Sequence, residues 1–320
     1  MDRRRFLVAL GSVGTVAGMA TVDLAAADSG APLIGVLLLR PRESLSFPEV
    51  FTKALHDLGY GRARVEYREA RGQTERLPAL ARELVQLNVD VLVTTETPAV
   101  WALKEATTTI PIVMTSGDPV GTGLVSSLAR PGGNITGFSA TSFDAAGKQL
   151  ELVRGVVPQP KFVGILLQPR DPFHAVLNKQ MRRATTATGL TFRRFDLERP
   201  TDLDTVIERI ARDGVAALIV QPVIATPQLA ELAIKYRIAT ITSNPKFARQ
   251  GGLMSYGADL DVVYRDMAAY VSRVLKGARP AELPIEQPTT FSFVVNLKTA
   301  QTLGLTIPKE LLLRADQIIE

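Results

Sequence analysis

The chain has 320 residues, 46% of them hydrophobic, which is enough apolar material for two sizeable cores. Its net charge of +5 includes no dense Lys/Arg block beyond the N-terminus, which argues against nucleic acid as a partner. With no cysteine, disulfides, a thiolate zinc site, a cysteine nucleophile and a lipid-modified N-terminal cysteine are all excluded.

Residues 1–27 read as an export signal rather than as part of the fold. Arg3, Arg4 and Arg5 precede an uncharged stretch from Phe6 to Val22, and Ala25-Ala26-Ala27 offers a small-residue cleavage site. Arg3-Arg4-x-Phe6-Leu7 resembles a twin-arginine signal, with Asp2 where Ser or Thr is usual and Val8 where Lys is. The competing reading, an uncleaved anchor, asks for about 20 apolar residues, and this shorter run carries Gly11, Gly14 and Gly18. The expectation is a soluble periplasmic protein cleaved near Ala27, not a lipoprotein, exported by either the twin-arginine or the general route.

From Leu33 the chain alternates between two patterns. Leu33–Leu39 is a continuous apolar run, a buried strand; Phe47, Val50, Phe51, Ala54, Leu55 and Leu58 share one helical face, closed by Gly59. Val65–Tyr67 is a short strand, and Thr74 or Glu75 opens a helix that is expected to turn Leu77, Leu80, Ala81, Leu84, Val85 and Leu87 inward. Val91–Thr94 and Ile110–Met114 are further buried strands. After the second, Asp118-Pro119 signals a helix start, Leu124, Val125 and Leu128 have helical spacing, and Pro131-Gly132-Gly133 is the stop. The same grammar then restarts. Helices over 145–157, about 173–187 and from Thr201 or Asp202 alternate with strands at Phe162–Leu167, Thr191–Phe195 and Ala216–Val220, and the unit 229–242 repeats it. The predicted fold class is α/β, two doubly wound parallel-sheet lobes. The last third departs from the alternation. The glycine-rich segment 251–257 suits a crossing between lobes, 262–275 is helical, 283–288 is extended around its prolines, and 291–295 is a strand followed by two short helical pieces.

Four strands lead into a cap residue followed by proline: Thr97-Pro98, Asp118-Pro119, Asp171-Pro172 and Thr226-Pro227. Each such pair is good helix capping by itself. As a set, two per half, they place helix N-termini on the rim at the carboxyl ends of both sheets, a cleft suited to a ligand carrying a carboxylate. Enzyme signatures are weak. His56 and His174 have no partner at metal-ligand spacing, no G-x-S-x-G elbow or P-loop occurs, and Gly121-Thr122-Gly123-Leu124-Val125-Ser126 only approximates a dinucleotide fingerprint. Catalysis by carboxylates alone stays open at this level, as does a ligand-sensing module that reports to a membrane sensor.

Long ordered stretches carry a family resemblance: RLPALA from Arg76, ATTTIPIVMTSGDPVGTGLV from Ala106, LARPGGNITG from Leu128, and in the tail GGLMSYG from Gly251, LKGARPAELPIEQPT from Leu275 and NLKTAQTLGLTIP from Asn296. On these the chain resembles the tryptophan/tyrosine-type substrate-binding proteins of ABC transporters, a type I periplasmic-binding-protein-like branch. The resemblance implies two lobes joined by a multi-strand hinge, residues 32–140 with about 257–285 in lobe I and 141–256 with about 286–320 in lobe II. It implies a monomeric receptor for an ABC permease, without cofactor, metal or catalysis, that closes by hinge motion on an amino acid or related carboxylate. Carried over residue by residue, the cleft loops fall at Arg40–Glu43, Thr94–Thr97 and Ser116–Asp118 in lobe I, and at Gln168, Gln221, Ser243 and Asn244 in lobe II; relatives more often carry Asn or Asp at Gln168 and Gln221. The ligand carboxylate is expected on Thr95, Thr97 and Ser116, and its ammonium on Glu96 or Asp118. Tyr256 is a candidate wall for a ring, with core packing as the alternative, and Trp101 is expected to pack rather than bind.

Overall fold

Apolar runs without alternation become strands covered on both faces, and their order sets where a ligand can sit. The computed structural model describes residues 30–140, 145–157, 160, 162–188 and 190–320, so the export segment expected over 1–27 lies outside the described residues. The first sheet holds β1 (Leu33–Leu38), β2 (Arg64–Glu69), β3 (Val91–Thr94), β4 (Ile112–Ser116) and β5 (Ile135–Ser139), interleaved with α1 (Phe47–Asp57), α2 (Leu77–Gln86) and α3 (Thr97–Ala106). The second lobe continues with α4 (Ala145–Val156), β6 (Val163–Leu167), α5 (Phe173–Thr188), β7 (Phe192–Asp196), α6 (Leu203–Arg212), β8 (Ala217–Val220), α7 (Pro227–Lys235), β9 (Ala239–Thr242), α8 (Pro245–Arg249) and β10 (Met254–Ala258). The tail supplies α9 (Leu260–Leu275), β11 (Phe291–Asn296), α10 (Leu297–Leu303), α11 (Lys309–Leu312) and β12 (Gln317–Ile319).

The strand orders are β2-β1-β3-β4-β5 and β12-β11-β10-β9-β8-β6-β7. All pairs are parallel except β10 with β11, which run antiparallel where the tail returns to the second sheet. Both sheets are packed with helices on both faces, so the architecture is the α/β pair of lobes that the alternation implies. In the first lobe, Leu80, Ala81 and Leu84 of α2 and Val100 and Leu103 of α3 pack on one face. Phe47, Phe51 and Leu55 of α1 meet Tyr264, Met267 and Val271 of α9 on the other. Thus α9, far along the chain, belongs to the first core. Residues 283–286 also run beside β5: the Thr136 hydroxyl donates to Leu283 O at 2.9 Å, and Ser139 N–H donates to Glu286 O at 2.8 Å.

The expected helix after Asp118-Pro119 does not form. The Asp118 carboxylate caps a single turn, accepting from Gly121 N–H at 2.8 Å, and Gly123 then adopts a left-handed φ of 77°. Glycine at 121 and 123 weakens helix propagation where two adjacent parallel strands leave little length for it. The other three cap–proline pairs do start helices. A fifth, Asn244-Pro245, opens the short α8, with Asn244 Oδ1 accepting from Lys246 N–H.

Sheet order also creates two switch points. β1 lies between β2 and β3, and β6 between β7 and β8, so the connections after these central strands leave towards opposite faces. Register aligns the strand ends, with Leu37 beside Thr94 and Thr94 beside Met114. The residues just beyond them therefore emerge at one edge.

Candidate ligand-binding site

The two switch points meet around a cavity. Arg40 follows β1, Glu96 and Thr97 follow β3, and Ser116 ends β4; Asp171 follows β6, and Pro222 and Val223 follow β8. Asn244, after β9, completes the wall from the second lobe.

On the first lobe's side, Arg40 Nε donates to Glu96 Oε1 at 2.5 Å, and the Leu39 backbone N–H donates to Glu96 Oε2 at 3.1 Å. Glu96 is 8% exposed, and this ion pair with its extra hydrogen bond is what allows a carboxylate to sit there. Beside it the hydroxyls of Thr97 and Ser116 are 3.1 Å apart, and Gly117 N–H donates to Thr97 Oγ1. Thr95 and Thr115 line the same cavity, and their hydroxyl oxygens are buried without a hydrogen-bond partner among the described residues. Buried hydroxyls are usually satisfied.

The second lobe contributes one carboxylate. Asp171 accepts from Phe173 N–H at 3.0 Å and from Gln221 Nε2 at 2.6 Å; Gln221 Oε1 in turn accepts from Gln168 N–H at 2.8 Å. Burial pushes the Asp171 carboxyl up from its ordinary 3.8 to about 6, against the pull of these hydrogen bonds, and the Glu96 charge adds to the rise. The two donors hold the carboxylate in place without supplying a countercharge. Unlike Glu96, Asp171 has no cation paired with it among the described residues.

The lobes touch around the cavity. A Cβ placed on Gly117 would overlap the Phe173 ring, and Val223 packs against a core cluster from each lobe. At the rim, Lys246 Nζ donates to Glu43 O at 3.3 Å.

Arg40, Thr95, Glu96, Thr97, Ser116 and Asn244 are thus brought together around one cavity. Gln221 is fully buried behind Asp171, and Gln168 faces an adjoining chamber. Two expected residues lie elsewhere. Asp118 is engaged in its own turn, and the Tyr256 ring stacks on Phe291 at 5.9 Å beside the second core, so neither lines this cavity. Trp101 packs on the first core with Lys104 Nζ 4.8 Å from its ring centre. Sequence reasoning placed Asp171 on the cleft rim only as a helix cap and passed over Phe173, Thr115 and Tyr264. Asp171 was visible as a cap before Pro172, which hid that the same carboxylate faces a cavity.

Residues 46–319 match the profile described as ABC transporter substrate binding protein. The chain belongs to this family. Its members are binding proteins rather than enzymes, and an ABC transporter is the partner that the family implies. The chain is 24% identical over 264 residues to a tyrosine-binding protein of Clostridioides difficile, which spans 80% of this chain and 75% of that one. Among solved structures, the ABC domain from Streptococcus pneumonia in complex with L-Trp has a TM-score of 0.84 at 27% identity, covering 91% of this chain and 100% of the other. A conserved domain protein of Vibrio cholerae gives 0.85 at 26%, covering 90% and 100%. Both structural likenesses cover the whole of the matched chain.

Proposed function

We propose that this chain is the extracytoplasmic receptor of an ABC importer and that it binds an L-amino acid, with an aromatic one favoured, in the cavity between its lobes. The observation that carries this is the opposition of two unlike walls. Asp171 offers a buried carboxylate with no paired cation, the complement of an ammonium. Opposite it, Thr97 at the start of α3 and Ser116 at the end of β4 supply hydroxyls, with Thr95 and Thr115 beside them, next to the positive end of a helix dipole, where a carboxylate is stabilised. Arg40 keeps Glu96 neutralised, so the wall as a whole does not repel an anion. A ligand holding both groups bridges the lobes and favours their closed arrangement, since differential contacts are what shift such an equilibrium. The relatives that bind tyrosine and L-Trp support the ligand class.

Calorimetric titration of the purified protein tests this. At least one L-amino acid is expected to bind saturably, and its decarboxylated and deaminated analogues to bind far more weakly. Equal binding of a deaminated analogue would overturn the role of Asp171.

A further inference from the structure

Beside the cavity at Asp171 and Thr97 a second chamber of about 310 Å³ opens, sharing Arg40, Val223 and Asn244 with it. Its charge has one sign. Arg40 and Arg71 reach it from the first lobe and Lys246 from the second, and no carboxylate is among the described residues that line it. Like charges gathered in a partly enclosed space repel unless an anion lies among them.

Arg40 has its counter-ion in Glu96, but the other two cations do not. The acids on the adjoining loops are engaged elsewhere, Glu43 with Arg42 and Glu75 with Arg170. Among the described residues Arg71 makes no ion pair or side-chain hydrogen bond, and Lys246 Nζ donates to the Glu43 carbonyl alone, at 3.3 Å. Burial, with the Arg40 charge close by, holds the Lys246 ammonium below its ordinary pKa, as expected of a cation short of a partner. Arg71 is held in place against its backbone preference. Its φ is 53°, in the left-handed region that favours glycine, and the turn is pinned by Gly72 N–H donating to Leu39 O at 2.7 Å. Strain of this kind collects at functional positions. From the second lobe Thr226, Pro227 and Gln228 join the wall, the cap and first residues of α7 and the positive end of its dipole.

We propose that this chamber is an anion-binding site, in which Arg71 of the first lobe and Lys246 of the second, with Arg40 beside them, share a carboxylate or phosphate group. The inference deepens the amino-acid reading above: the group is either the distal acid of the bound amino acid or a free anion seated next to it. Arg71 offers a planar fork to two oxygens and Lys246 a point charge, a combination suited to an oxyanion. Because the cations come from different lobes, the anion cancels a repulsion that grows as the lobes approach, and so favours their closed arrangement.

Calorimetry on the wild-type protein in dilute Tris chloride separates the two sources. For a distal acid, glutamate, aminoadipate and para-carboxyphenylalanine are each compared with the corresponding amide, and at least one acid is expected to bind at least about tenfold tighter than its amide. For a free anion, inorganic phosphate is expected to bind saturably and to tighten the binding of a neutral amino acid at least about threefold. One of these effects is expected, and Arg71→Asn combined with Lys246→Met should reduce it to within about twofold. The double variant without ligand is expected to melt no lower than wild type, since asparagine tolerates the left-handed turn and a repelling charge is gone. Neither effect in the wild-type protein would overturn the inference and leave the amino-acid reading standing. An effect that survives in the double variant, or a lower melting temperature, which would give these cations a role in the fold instead, would overturn it as well. Phosphate binding with no amino acid bound would sink the amino-acid reading and keep the anion site.

Discussion

Gln221 Nε2 donates to Asp171 Oδ2 at 2.6 Å, joining a residue at the end of β8 to one at the start of α5. Both are buried, so the hydrogen bond orients a carboxylate that solvent barely reaches. The carboxylate faces a cavity without a cation of its own, and its protonation is therefore set by what the cavity holds.

For the protein without ligand, the folded Asp171 carboxyl titrates near 6 against an ordinary 3.8. The folded state binds the extra proton between these values, so this group contributes stability that is present below about pH 4 and lost as pH rises through 6. The contribution is about 3 kcal/mol at most. Asp171→Asn is expected to remove this component, seen as a smaller rise in melting temperature than wild type on going from pH 7.5 to 5.

Ligand binding should show the opposite dependence. An ammonium beside Asp171 favours the ionised form, so wild-type affinity for the amino acid is expected to fall as pH drops below 6. Asp171→Asn should bind weakly, with little dependence on pH over the same range. A wild-type affinity that stays constant from pH 7.5 to 5 would place the ammonium elsewhere.

Arg40→Ala leaves Glu96 buried without its cation, and loss of one partner from such a pair typically costs about 3 to 5 kcal/mol. Arg40 is 18% exposed, which puts the expectation near the lower figure. Urea denaturation should show the loss, and adding Glu96→Gln should recover much of it by removing the stranded charge.

Gly117→Val puts a branched side chain where the Phe173 ring lies. The lobes must then separate. Small-angle scattering is expected to report a larger radius of gyration with ligand present, together with weaker binding. An unchanged radius would mean that this contact does not limit closure.

Ser116→Ala removes a hydroxyl from the cavity wall and the partner of Thr97, and a several-fold rise in Kd is expected. Asp118→Ala removes only the acceptor for Gly121 N–H, at roughly 1 kcal/mol of stability, with affinity within about twofold of wild type.

Much of the fold was legible because its central strands are unbroken apolar runs. β5 was not. Gly137 interrupts Ile135–Ser139 with a φ of 134°, and no apolar alternation surrounds it. The turn after Asp118 carried a helix's capping signal and helical spacing, but glycines 121 and 123 decided against propagation. In the site, residues just beyond strand ends could be placed because the position of a strand end is a local property. The pairing of Arg40 with Glu96, 56 residues on, could not, nor could the capture of Asp171 by Gln221. Those depend on which strands become neighbours, and single-chain periodicity does not encode strand order. Tyr256 shows the same limit: its register opposite Phe293, with Phe291 two residues away on that strand, is set by an antiparallel pairing with the tail.

The placement of α9 has a consequence for how the protein is made. Phe47 and Phe51 near the start of the chain are covered by Tyr264 and Met267, more than 200 residues later, and the whole of β6 to β10 lies between them. A growing chain can pair β6 to β10 of the second sheet while the first still lacks one of its layers, and β11 and β12 join the second sheet only after α9 has been made. The first lobe's maturation therefore waits on contacts of high sequence separation, which form slowly.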